Sequence, residues 1–155
     1  MSASDDDFRT RLAVQERLVD YWWDVDANDA KGALDFYTAD CVYSMLEHRM
    51  DGPAAVADYY AYRASRGARL VRHVLTNLRT RVTGADTASV AGILTVYAAD
   101  GVPVLPSNPP ILVADNTADF VRGDDGAWRM RLHRITALFR GGVPVLVPPG
   151  AASGG

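Results

Sequence analysis

A chain of 155 residues is long enough for one domain with an enclosed core and too short for two ordinary ones. A net charge of −3 with 48% hydrophobic residues excludes a basic nucleic-acid binder and a disordered chain. The single cysteine, Cys41, excludes an internal disulfide and a thiolate zinc site, and reads as a small core residue. No apolar run reaches the ~18 residues of a membrane span, and the acidic start is unlike a signal peptide, so a soluble, cytoplasmic protein is expected.

In chain order, Ser4 is a candidate N-cap, with Asp5, Asp6 and Asp7 favouring the helix dipole. A long helix then runs to about Asn28, with Phe8, Leu12, Leu18, Val19, Trp22 and Trp23 on its apolar side. Asp29 starts a shorter helix carrying Leu34, Phe36 and Tyr37, which ends at Thr38 to Asp40. Cys41 to Leu46 reads as a strand, and Asp51-Gly52-Pro53 as a turn into a third helix closed by Gly67. Long strands come next over 69–82, 87–99, 111–122 and 127–140, with a Pro-rich loop at 100–110. Arg72, Arg79 and Arg81 read as a solvated strand face. The domain is expected over 1–142, with a Pro/Gly-rich tail over 143–155. Helices first and antiparallel strands after them mean α+β.

A few side chains carry possible chemistry. On a helical projection Asp26 falls near Phe8, Val19 and Trp22, where a carboxylate needs a partner or a proton. Either it is a cleft carboxylate, a candidate acid or base, or the helix stops at about Val25 and Asp26 caps the next segment. His73 is mid-strand and shares a face with Val71, Leu75 and Asn77; a lone strand histidine is more often packing than catalysis. His48 precedes a turn, and His133, between Arg131 and Arg134, is expected near solvent. Tyr43 and Asn116 are ordinary alone. Trp22, Trp23, Tyr59, Tyr60, Tyr62 and Tyr97 are core by default, and line a cavity only if the strands curl around the first helix.

Four segments in this order resemble a known family. They are Tyr21-Trp-Trp-Asp-Val-Asp-Ala-Asn-Asp29 with Leu34 to Tyr43, Asp51-Gly-Pro-Ala-Ala-Val56, Arg72-His-Val-Leu-Thr-Asn77, and Asp124-Asp-Gly-Ala-Trp-Arg-Met130. Together they resemble SnoaL-like domains of the nuclear transport factor 2-like superfamily over residues 8–140. The resemblance implies a cone-shaped, curved antiparallel (mixed) sheet wrapped around three N-terminal helices and enclosing a pocket. Within that superfamily the pattern is similar to the scytalone dehydratase family. By that likeness Asp26 and His73 match a catalytic Asp and His, Tyr43 a water-holding Tyr, and Asn116 a substrate-binding Asn. Two positions depart: Val25 replaces a Tyr, and no His stands near Tyr97 or Ala98.

The expectation is a cofactor-independent acid–base enzyme: a dehydratase, isomerase or polyketide cyclase acting on a cyclic, largely apolar substrate. Asp26 and His73 would be catalytic, and Tyr43, Asn116, Trp23 and Tyr97 would contact substrate. No metal, organic cofactor, nucleic acid or membrane is implied, and a homodimer or other homo-oligomer is expected. Two other readings stand beside it. One is a non-catalytic β-type or small-molecule-binding subunit. The other is an epoxide hydrolase using Asp115, Asp119 and Arg122.

Overall fold

A computed structural model describes residues 3–141. Helix α1 (Ala3–Ala27) opens the chain. A single 3-10 turn (Ala33–Phe36) leads into β1 (Tyr37–Met45) and β2 (His48–Asp51). Helix α2 (Gly52–Ser65) comes next, with Pro53 in its first turn, where a missing amide proton costs nothing. Four strands complete the domain: β3 (Arg69–Gly84), β4 (Thr87–Asp100), β5 (Leu112–Arg122) and β6 (Trp128–Arg140).

The strands form one curved, open sheet in the order β2-β1-β6-β5-β4-β3. Every pairing is antiparallel except β1 with β6, which is parallel, so the sheet is mixed. Both helices lie on its inner face. Helix α1 buries Val14, Leu18, Tyr21, Trp22 and Val25, spaced at one face of a 3.6-residue helix. Fully burying side chains of this size contributes ~1.5–3 kcal/mol each.

Two bulges set which strand residues face inward. On β3 the register shifts between Thr76 and Arg79, and Asn77 takes φ 54. Val71, His73 and Leu75 point inward before the bulge, and Leu78, Thr80 and Val82 after it. Gly92 of β4 makes room there: a Cβ on it would meet Leu78 Cδ2 at 2.7 Å and the Thr76 carbonyl oxygen at 2.9 Å. On β6 a second shift, opposite Asp119 and Phe120, leaves Arg131 unpaired. Trp128 and Met130 are buried before it, His133 and Ile135 after it.

The α+β class and the wrapped sheet are as expected; several local readings are corrected. Phe8, Leu12, Val19 and Trp23 are exposed, because α1 carries two apolar stripes and the sheet covers the other one. The second helix is only the 3-10 turn, and Tyr37 to Asp40 already belong to β1. His48 lies in β2, paired with Met45. Cys41 is buried, as expected. The tail over 143–155 lies outside the described residues. No helix among them is long and apolar enough to cross a membrane.

Candidate active site

Helix α1 continues past Val25 to Ala27, which puts Asp26 in its last turn beside β3. Strand β3 is an edge of the sheet, so its outward amides need partners other than a strand. Asp26 supplies one: its Oδ2 accepts the His73 backbone N–H at 2.7 Å. Its Oδ1 lies 2.6 Å from His73 Nδ1. The carboxylate accepts at both oxygens, so Nδ1 carries the proton and Nε2 keeps a lone pair. Trp22 stacks on the ring, with centroids 4.2 Å apart and planes 23° apart. The Asp26 and His73 side chains are only 8% and 9% exposed. Burial lowers the His73 pKa below its ordinary value, and the bond to Asp26 opposes that shift. Arg72 donates to the Asp26 carbonyl at 3.3 Å, covering an acceptor at the helix end.

A second buried histidine lies behind Trp22. The Tyr37 hydroxyl is 2.7 Å from His133 Nδ1, and His133 Nε2 is 3.2 Å from Asn116 Oδ1. That same oxygen accepts the Trp22 indole N–H at 3.2 Å. An indole can only donate, so Asn116 must present oxygen, and His133 must donate from Nε2. The direction of the network is then fixed: Tyr37 to His133, and both His133 and Trp22 to Asn116. Tyr43 stacks on His133 at 4.6 Å and 11°. Burial holds the His133 pKa down at about 3, and the neighbouring His73 adds to the shift. Asn116 is fully buried and its Nδ2 has no hydrogen-bond partner.

His73, Trp22 and Tyr43 form the polar side of an inner cavity of about 50 Å³, closed by Leu94, Val96 and Ile135. A wider cavity of about 530 Å³, lined partly by Asp26, Val25 and Lys31, lies outside it. Tyr60, Arg63, Arg69 and Val71 line both and form the neck between them. The Tyr21 and Tyr60 hydroxyls are hydrogen-bonded to each other. Burial raises the pKa of Tyr21, Tyr37 and Tyr43, so these phenols stay protonated and can donate.

The structure brings Asp26, His73 and Tyr43 to one site. Asn116 lies one layer behind it, holding Trp22 and His133, and is not part of the cavity wall. Trp23 is 72% exposed, because the adjacent Trp22 takes the inward azimuth of α1. Tyr97 is 45% exposed and pairs with Arg72 on the outer face, so the alternation of β4 turns Val96 and Ala98 inward in its place. Asp115 and Asp119 are exposed on the outer face, and Arg122 is paired with Asp86, so they form no site. His133 is buried, contrary to the expectation, because the β6 bulge reverses the inward parity after Arg131. Arg63 is a member of the site that sequence reasoning missed; its only signal there is a cation one turn after Tyr59 and Tyr60. Among the described residues no cluster of three or more His, Cys, Asp or Glu could hold a metal ion.

A family profile described as the SnoaL-like domain matches residues 6–134. No curated protein matches the sequence. Solved structures do match by fold. One is described as "Putative Scytalone Dehydratase" from Novosphingobium aromaticivorans, 18% identical with a TM-score of 0.77, over 97% of this chain and 99% of that one. A second is an NTF2-like protein with a cystatin-like fold from the same organism, 24% identical with a TM-score of 0.67, over 84% and 83% of the two chains. A third, from Catenulispora acidiphila, is in complex with S-DNPA; it is 18% identical with a TM-score of 0.67, over 81% and 91%.

Proposed function

The chain belongs to the SnoaL-like domain family, and from that premise we propose that it is a cofactor-independent acid–base enzyme. Its reaction is a dehydration, isomerisation or cyclisation of a cyclic, largely apolar carbonyl compound of polyketide type. The observation that carries this reading is the Asp26–His73 pair at 2.6 Å, with one ring nitrogen left for an apolar cavity. All three reactions begin by removing a proton from carbon next to a carbonyl. His73 Nε2 takes that proton, and the imidazolium that forms is stabilised by Asp26. The Tyr43 hydroxyl donates to the developing enolate oxygen. In a dehydration His73 returns the proton to the departing hydroxyl, which leaves as water. Asn116 acts through Trp22, by keeping the indole against the His73 ring. The fold likeness to the structure described as a scytalone dehydratase and the S-DNPA complex agree with a small-molecule site.

The test does not need the natural substrate. Cyclic ketones such as 2-tetralone and 3-hydroxy-1-tetralone are incubated in D2O, and α-proton exchange is followed by NMR. The wild type should exchange at least one of them faster than buffer does, and H73A should lose ~10²-fold or more of that rate. No exchange above buffer with any ketone, or exchange undiminished in H73A, contradicts the proposal.

A further inference from the structure

The neck between the two cavities holds a cation without an acid. Arg63, near the end of α2, is half-buried and lines both cavities. No ion pair joins it to a carboxylate among the described residues. Its electrostatic neighbours are the phenols of Tyr59, Tyr60, Tyr43 and Tyr21. Its guanidinium carbon lies 5.5 Å from the centroid of the Tyr60 ring. These groups compensate a buried cation only in part.

The other charged groups that line these cavities are Arg69, on both, and Asp26, Asp29 and Lys31, on the outer one only. Arg69 is bound to Asp100 at 2.9 Å, and both Asp26 oxygens are on His73. No Asp or Glu lines the inner cavity. Burial keeps His73 toward its neutral form and the surrounding phenols protonated, and a guanidinium cannot lose its proton. Arg63 is therefore a cation on the wall of both cavities with no carboxylate paired to it among the described residues, although the whole chain is negative at −3. A half-buried cation on such a wall, with no ion-pair partner, is satisfied by an anion that arrives with the ligand. Its planar fork suits a carboxylate, which it can hold through two parallel N–H bonds.

We propose that Arg63 is the specificity residue of this pocket and that the substrate carries a carboxylate, held at the neck while the rest of the molecule reaches toward His73. This rests on the reading of the cavity as the substrate site and adds a class of substrate to it, a cyclic carbonyl compound that is also an organic acid.

The experiment uses matched probes, 2-naphthoate and 2-naphthamide, with Kd measured by quenching of tryptophan fluorescence and by calorimetry. The two have nearly the same shape and differ in charge. Wild-type protein should bind the carboxylate about 10-fold or more tightly than the amide, and added salt should reduce the difference. Arg63→Met should bring the carboxylate affinity down to that of the amide, with circular dichroism and the melting temperature reporting an intact fold. Arg63→Lys should keep part of it, through charge without the fork. His73→Ala should keep all of it, because that variant removes the proposed base and not the anion site. Failure of the catalytic reading is thereby separated from failure of this one. Equal affinities for the two probes, no binding of either, or a preference that survives in Arg63→Met overturns the proposal.

Discussion

His73 and His133 both pack against Trp22, and the difference between them separates the group proposed as the base from a structural one. Both rings are buried and both have pKa values lowered by burial. His133 has each nitrogen used by a neutral partner, Tyr37 or Asn116. Protonating it would strand a cation among neutral groups, so it is locked. His73 has one nitrogen on a carboxylate and the other left for the cavity. It can take up a proton because a negative charge already stands behind the ring. What distinguishes them is therefore the partner and the open nitrogen; burial alone does not.

Substitutions break the comparison from each side. The largest effect is expected from H73A: on any substrate the wild type turns over, kcat/KM per folded molecule should fall by ~10²–10⁴. D26N should fall less far, because its single amide oxygen can keep one of the two bonds to His73 but brings no charge. H133L should do the reverse. It strands the Tyr37 hydroxyl, removes one of the two donors to Asn116 and should cost ~2–4 kcal/mol in urea unfolding, with kcat/KM affected only through loss of folded protein.

Acid sharpens the same contrast. The unfolded chain protonates its histidines near 6.5, whereas folded His133 resists down to about 3. Below 6.5 the unfolded state therefore binds more protons, and stability falls as pH falls through that window, by up to ~1.4 kcal/mol per unit for each such group. Urea titrations between pH 7 and pH 4 should show the loss, and H133L should flatten it. Gly92→Ala should cost ~1–3 kcal/mol by pressing a methyl onto the β3 bulge, read as a lower midpoint in the same titrations. The smallest effects belong to Trp23→Ala and Tyr97→Ala. Each should change stability by less than ~0.5 kcal/mol and leave kcat/KM unmoved, since both side chains lie outside the cavity.

The helix-then-strand order was legible because turn residues separate strongly patterned segments. Asp26 and His73 were legible as a pair through the likeness of their surrounding segments to SnoaL-like domains, and Tyr43 came with them. Periodicity misled wherever the backbone breaks its own period. The bulge at Arg131 turns His133 inward from a stretch flanked by arginines, and the bulge at Asn77 removes that residue from the His73 face. Helix α1 misled for another reason. Phe8, Leu12, Val19 and Trp23 form a stripe as apolar as the buried one, and only the position of the sheet decides between them. Arg63 left no trace in periodicity, because its place on the wall of both cavities depends on how α2 packs in three dimensions.

The most direct test of the account is nitrogen-15 NMR of the histidine side chains at pH 7, comparing wild type with D26N. The account predicts a neutral His73 ring with its proton on Nδ1 and a bare Nε2, and a weakening of that preference in D26N. An Nε2-protonated ring, or an imidazolium at pH 7, would contradict it.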